Sequence, residues 1–113
     1  MNVVLYHNPK CSTSRNALTL LRERGIEPTV VDYLKTGWDA ATLQRLASGA
    51  GVGLGGLLRT KEAGAKALLE ANASDAAVLK AVLAEPILIE RPIVETDKGA
   101  RIGRPIERVL EVL

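Results

Sequence analysis

The first third of the chain restricts the fold more than any other stretch, because its apolar pattern changes from strand to helix and back to strand. Residues 3–6 (Val-Val-Leu-Tyr) are apolar without alternation, as in a strand covered on both faces. Asn8-Pro9 ends that run. Ser12 and Thr13 are placed to cap a helix carrying Ala17, Leu18, Leu20 and Leu21, and Gly25 stops it. Thr29-Val30-Val31-Asp32-Tyr33 is again rich in β-branched and aromatic side chains and reads as a second strand. Strand, helix and strand in this order make a parallel pair with a right-handed crossover.

Beyond Trp38 the pattern is helical. Asp39 caps a segment with Leu43 and Leu46 on one face, which ends in a glycine-rich stretch from Gly49 to Gly56. Further helices are predicted over 62–71 and 74–84, the second capped by Ser74 and Asp75 and carrying Val78, Leu79, Val82 and Leu83. Pro86 ends them. Ile93-Val94-Glu95-Thr96 is a strand, Asp97-Lys98-Gly99 a hairpin turn and Ala100–Gly103 its partner. Pro105 suits the first position of a last helix, with Ile106, Val109, Leu110 and Leu113 as its apolar face. The order is βαβ, then helices, then ββα. This predicts an α/β class with a four-stranded mixed sheet and a helical insertion over about 39–85.

The 113 residues are one domain's worth, so 1–113 is expected to form a single domain. Hydrophobic residues are 47% of the chain but aromatics only 3%, with no Phe, so the core must be built from Leu, Val, Ile and Ala. A formal charge of +2 argues against a nucleic-acid binder, while leaving room for a locally positive pocket. No run approaches the roughly 20 apolar residues of a membrane span. The opening residues lack the charged and apolar regions of a signal peptide. One cysteine forms no internal disulfide. The expectation is a cytoplasmic protein in a reducing compartment, with no membrane partner.

Cys11 carries the chemistry. It lies where a buried strand hands over to a helix N-terminus, whose free N–H groups and positive dipole end stabilise an anion. Thiolate is the nucleophilic form, and such a setting lowers a cysteine pKa. Lys10 and Arg15 add positive charge nearby, and Ser12 and Ser14 offer hydroxyls to the sulfur or to a bound oxyanion. His7, the one histidine, is a candidate to stabilise the thiolate or to be structural at the strand end. Cys11-Ser12-Thr13-Ser14 has the form of a Cys-x-x-Cys with the resolving cysteine replaced by serine. Any redox cycle therefore needs an external thiol. Arg15 follows Cys11 too closely for the Cys-x5-Arg loop of tyrosine-phosphatase-like enzymes. Two arginines break local rules: Arg104 stands before Pro105 where a small polar cap is usual, and Arg91 precedes Pro92 in an otherwise strand-like apolar run. Each is either functional or paired with Glu90 or Glu107.

Taken together, Tyr6-His7-Asn8-Pro9-Lys10-Cys11-Ser12-Thr13-Ser14-Arg15-Asn16 resembles the signature of the ArsC arsenate reductase family. The resemblance continues through Leu57-Leu58-Arg59, Pro86–Val94 and Ile102-Gly103-Arg104-Pro105, in the family's order along nearly the whole chain. It implies a thioredoxin-like fold, with Pro92 as the cis proline that faces the cysteine. It implies Cys11 as nucleophile and Arg59, Arg91 and Arg104 as the arginines that hold the oxyanion. It further implies reduction of arsenate with glutathione as co-substrate and glutaredoxin as partner, with no bound cofactor or metal, in a monomer. Lys10 and Ser12 look more like a housekeeping paralogue group than the arsenic-operon enzymes.

Two other readings compete. A regulator of the Spx type shares this fold and binds RNA polymerase, but such regulators sense redox state through a Cys-x-x-Cys that Ser14 abolishes here. A glutathione-dependent thiol transferase acting on another substrate would use the same cysteine without arsenate.

Overall fold

A strand with no solvent-facing side has to sit inside a sheet with layers on both faces, and the computed structural model, which describes residues 1–113, places the first strand there. Strand β1 (Val4–His7) pairs in parallel with β2 (Thr29–Asp32) and antiparallel with β3 (Ile93–Thr96), and β3 pairs with β4 (Gly99–Ile102). The order β2-β1-β3-β4 is the thioredoxin-like mixed sheet that the βαβ–ββα pattern predicts. Helix α1 (Ser12–Glu23) makes the first crossover. Between β2 and β3 come α2 (Tyr33–Thr36), α3 (Ala40–Ala50), α4 (Ala63–Glu70) and α5 (Asp75–Ala84), so the helical insertion is present.

Strand alternation divides the core in two. Leu5 and Val94 face α1 and the C-terminal segment, packing with Val3, Ala17, Leu21, Val109 and Val112. Tyr6 and Ile93 face the insertion, where Leu43, Leu46, Leu57, Val82, Leu88 and Ile89 gather. Full burial of one such aliphatic side chain contributes about 1.5–3 kcal/mol. The two sets together hold the sheet from both sides.

Caps read from the sequence are present on two helices. Asp39 accepts the Thr42 N–H at 2.8 Å and Ser74 accepts the Ala77 N–H at 3.2 Å. The first helix differs: its N-cap position is Cys11, and neither Ser12 nor Thr13 caps it. Two further boundaries differ. The second strand ends at Asp32, so Tyr33 opens α2. The last segment, Ile106–Val112, is a 3-10 helix with Pro105 at its N-cap. Its three-residue repeat aligns Ile106, Val109 and Val112 on one face, and Val109 and Val112 are buried, which a 3-10 turn satisfies better than an α-turn. No helix is long and apolar enough to cross a membrane.

Candidate active site

The loop after β1 is built to present one side chain. The Cys11 N–H donates to the Asn8 carbonyl at 3.0 Å, and the Lys10 N–H donates to Asn8 Oδ1 at 3.0 Å, so Asn8 shapes the turn from inside. Ser14 is fully buried beneath it. Its Oγ accepts the Asn8 N–H at 3.1 Å and lies 2.6 Å from His7 Nδ1. His7 therefore braces the loop through Ser14, whose hydroxyl is engaged by His7 and the Asn8 N–H. Burial holds the His7 imidazole below its ordinary pKa, with Asp32 opposing and Arg15 and Arg22 assisting, so the ring favours its neutral form.

Cys11 is half-buried at the head of α1. Burial alone would push its thiol up, but the N–H of Ser14, the guanidinium of Arg91 and the N–H of Thr13 outweigh it, and the net pKa lies below the ordinary thiol value. Cys11 stands at the N-cap position of α1, its backbone extended. Arg104 makes the direct contact, Nη2 donating to Cys11 Sγ at 3.5 Å. Lys10 is exposed, and Arg15 is turned outward, where its guanidinium donates to the Pro9 carbonyl at 3.0 Å.

Arg91 and Arg104 act on Cys11 at this helix end, and the Glu90 carboxylate ties Arg59 to Arg104. Glu90 Oε1 accepts Arg59 Nη1 at 2.7 Å and the Arg91 N–H at 3.1 Å, and Arg104 Nε lies 3.1 Å away. Arg104 Nε also donates to the Arg91 carbonyl at 2.8 Å. Arg59 reaches Glu90 because Leu58 bridges Ile89, with the Arg59 N–H on the Leu88 carbonyl at 2.7 Å and the Glu90 N–H on the Leu57 carbonyl at 2.8 Å. Several buried donors nevertheless lack acceptors: Arg59 Nε, Arg91 Nε and Arg91 Nη1. Both Arg91–Pro92 and Arg104–Pro105 are cis. Pro92 is buried, its Cγ 2.9 Å from where a Cβ on Gly103 would stand, so only glycine fits opposite it.

Cys11, Arg91 and Arg104 thus stand together, with Arg59 joined to them through Glu90. His7 and Ser14 lie one layer below, Pro92 packs against Gly103, and Arg15 points out. Glu90 escaped the sequence reading as a site residue, although an acid between Ile89 and Arg91 in an apolar run was its signal. The largest cleft, about 460 Å³ between α3 and α5, holds one charged side chain, Asp75, and is remote in chemistry from this cluster. No three His, Cys, Asp or Glu side chains are grouped to hold a metal. Chemically, the arrangement combines a soft nucleophile that ionises more readily than an ordinary thiol with guanidinium groups, some of whose N–H donors have no partner.

Comparison with known proteins agrees with this architecture. The chain is 47% identical over 114 residues to the uncharacterized protein YfgD of Escherichia coli K12, covering 98% of this chain and 96% of that protein. It is 44% identical to the arsenate reductase ArsI2 of Synechocystis, covering 98% of this chain and 81% of the longer relative. Among solved structures, an arsenate reductase from Vibrio cholerae superposes with a TM-score of 0.91 at 46% identity, covering 100% of this chain and 98% of that one. The model of the ArsC family matches residues 6–112, and the chain belongs to that family.

Proposed function

We propose that the chain reduces arsenate to arsenite, using glutathione as electron donor and glutaredoxin to restore the enzyme. Support comes from its kinship with proteins named arsenate reductase. The observation that carries the reading is a sole cysteine, ionised more readily than an ordinary thiol, at a helix N-terminus crowded with guanidinium groups.

The arginines spread the negative charge of arsenate beside a thiolate that would otherwise repel it, and a guanidinium fork matches two oxyanion oxygens at once. The Cys11 thiolate attacks arsenic(V), a sulfur–arsenic bond forms, and an arsenate oxygen leaves as water after protonation. Glutathione thiolate then attacks the Cys11 sulfur. The sulfur–arsenic bond breaks, its electron pair stays with arsenic, and arsenite leaves as arsenic(III). The mixed disulfide on Cys11 is exchanged by a glutaredoxin thiol, which takes the glutathione and returns the thiolate. A second cysteine in the chain would make this external route unnecessary, and there is none.

The test is arsenite production from arsenate with glutathione and glutaredoxin, wild type against Cys11→Ser. Activity is expected in the first and none in the second. Equal rates would remove Cys11 from the mechanism, and an inactive wild type that still removes glutathione from a mixed disulfide would make the chain a thiol transferase instead.

A further inference from the structure

We propose that the cleft on the β2 side of Cys11 is where the chain holds glutathione, with Lys10 and Lys35 binding its two carboxylates; this rests on the glutathione dependence proposed above. The cleft has a volume of about 330 Å³ and is lined by Asn8, Pro9, Lys10, Asp32, Leu34 and Lys35. Small-molecule sites span roughly 300–1,000 Å³, so a tripeptide-sized ligand is within its reach. Strand register fixes where it lies. His7 stands level with Asp32 in the parallel β1–β2 pair, so the loop after β1 and the start of α2 leave the sheet side by side. The loop wall adjoins the nucleophile directly, because the Cys11 N–H donates to the Asn8 carbonyl at 3.0 Å.

Lys10 and Lys35 are both exposed, and neither ammonium is paired with a carboxylate of the chain. Asp32, half-buried, is the cleft's one acid. Glutathione carries two carboxylates and one ammonium, so ligand and cleft match in the sign and number of their charges. Exposed ion pairs are individually weak, which suits a co-substrate that has to leave once it is spent. The direction of the reaction selects the same side. Substitution at sulfur places the incoming and departing atoms on opposite sides of it. Arsenic departs on the side of Arg104, which contacts Cys11 Sγ at 3.5 Å and holds the Arg91 carbonyl at 2.8 Å, just before β3. In the sheet, β1 lies between β2 and β3. The glutathione thiolate therefore arrives from the β2 side, past the two lysines. As its sulfur bonds to Cys11 Sγ, the sulfur–arsenic bond breaks and that electron pair leaves with arsenic.

Lys10→Gln/Lys35→Gln removes both ammonium groups from exposed side chains. The experiment follows thiolation of Cys11 by mass spectrometry at low salt, with oxidised glutathione and, separately, the neutral hydroxyethyl disulfide. In each reaction the Cys11 thiolate takes one half of the disulfide and releases the other as thiolate. The proteins are wild type, the double variant and Lys66→Gln/Lys80→Gln, which removes the same charge from α4 and α5. In Lys10→Gln/Lys35→Gln the rate with oxidised glutathione should fall roughly three- to tenfold, the scale of two exposed ion pairs. The rate with the neutral disulfide should stay at the wild-type value, and the α4–α5 variant should match wild type with both. In arsenate reduction the KM for glutathione should rise by a similar factor while the KM for arsenate holds. An unchanged rate with oxidised glutathione, an equal fall with both disulfides, or the same fall in the α4–α5 variant would each overturn the proposal alone. Unaltered glutathione kinetics with slower recovery by glutaredoxin would make the cleft a protein-docking surface and overturn it too. A wild type that reduces no arsenate, yet shows the selective loss of thiolation in the double variant, would leave the cleft standing and sink the arsenate reading.

Discussion

One carboxylate oxygen decides how the guanidinium groups are arranged. Glu90 Oε1 receives Arg59 Nη1 at 2.7 Å and Arg104 Nε at 3.1 Å, and without it two cations would face each other at the helix end with no counter-charge. At 18% side-chain exposure the pairing is only weakly screened. Glu90→Gln preserves the shape and one acceptor but removes the charge. Stability should fall by about 1–3 kcal/mol in denaturant melts, the scale of a charged hydrogen bond lost. The freed Arg104 should favour the thiolate more strongly, so the pH midpoint of Cys11 alkylation should fall; a rise would show that Glu90 does not compete with the sulfur for that arginine. Arg91→Ala works in the opposite direction. Arg91 lowers the Cys11 pKa both as donor and as charge, so its loss leaves burial less opposed. The wild-type midpoint should lie below the ordinary thiol value of about 8.5, and the variant's should rise toward it. A midpoint unmoved in Arg91→Ala would assign the lowering to the helix end alone.

At the scale of elements, the join between β1 and α1 is where local rules and the structure part. Asp39 and Ser74 were legible as caps because a short polar side chain before a helix has one common use. At α1 the same rule points to Ser12 or Thr13, but the position falls to Cys11, since the Asn8 turn is already closed onto the Cys11 N–H. Ser14 is drawn inward by His7 and the Asn8 N–H, a requirement that spans the turn and leaves no mark in spacing. Ser14→Ala leaves the Asn8 N–H and His7 Nδ1 buried with no partner, at a cost of about 1–3 kcal/mol. It removes no group from the sulfur, because the Ser14 contribution there is its backbone N–H. The expected outcome is a lower melting temperature with a Cys11 alkylation midpoint close to that of the wild type. A large midpoint shift at unchanged stability would show that the hydroxyl, and not the backbone, serves the thiol.

For the molecule as a whole, the α/β order and the mixed sheet were readable because each strand and helix carries its own period, and Cys11 was readable because it stands at a junction of the two. Arg59 was not readable from its surroundings. Its place depends on the single Leu58–Ile89 bridge between the insertion and the segment before β3, a tertiary contact without local pattern. Tyr33 was hidden for a related reason: its β-propensity extended the strand, while the fold turns it into α2 and buries it.

The insertion must therefore dock on the sheet for Arg59 to reach Glu90, and α3 comes close to the start of β4. Gly99 has φ +131°, and a Cβ there would stand 2.9 Å from the Gly49 carbonyl oxygen. Both objections are to backbone, which cannot swing aside as a flexible side chain can. Gly99→Ala must strain the turn or push α3 outward, and either costs on the order of 1–3 kcal/mol. For a chain of this size that lowers the melting temperature by roughly 4 °C or more per kcal/mol. The sulfur's own contacts come from α1, Arg91 and Arg104, none of which touches this corner. Gly99→Ala should thus melt early yet keep the wild-type alkylation midpoint while folded. If the midpoint rose together with the loss of stability, the docking of α3 would govern the ionisation of Cys11, and the two halves of the core would be coupled through the sheet.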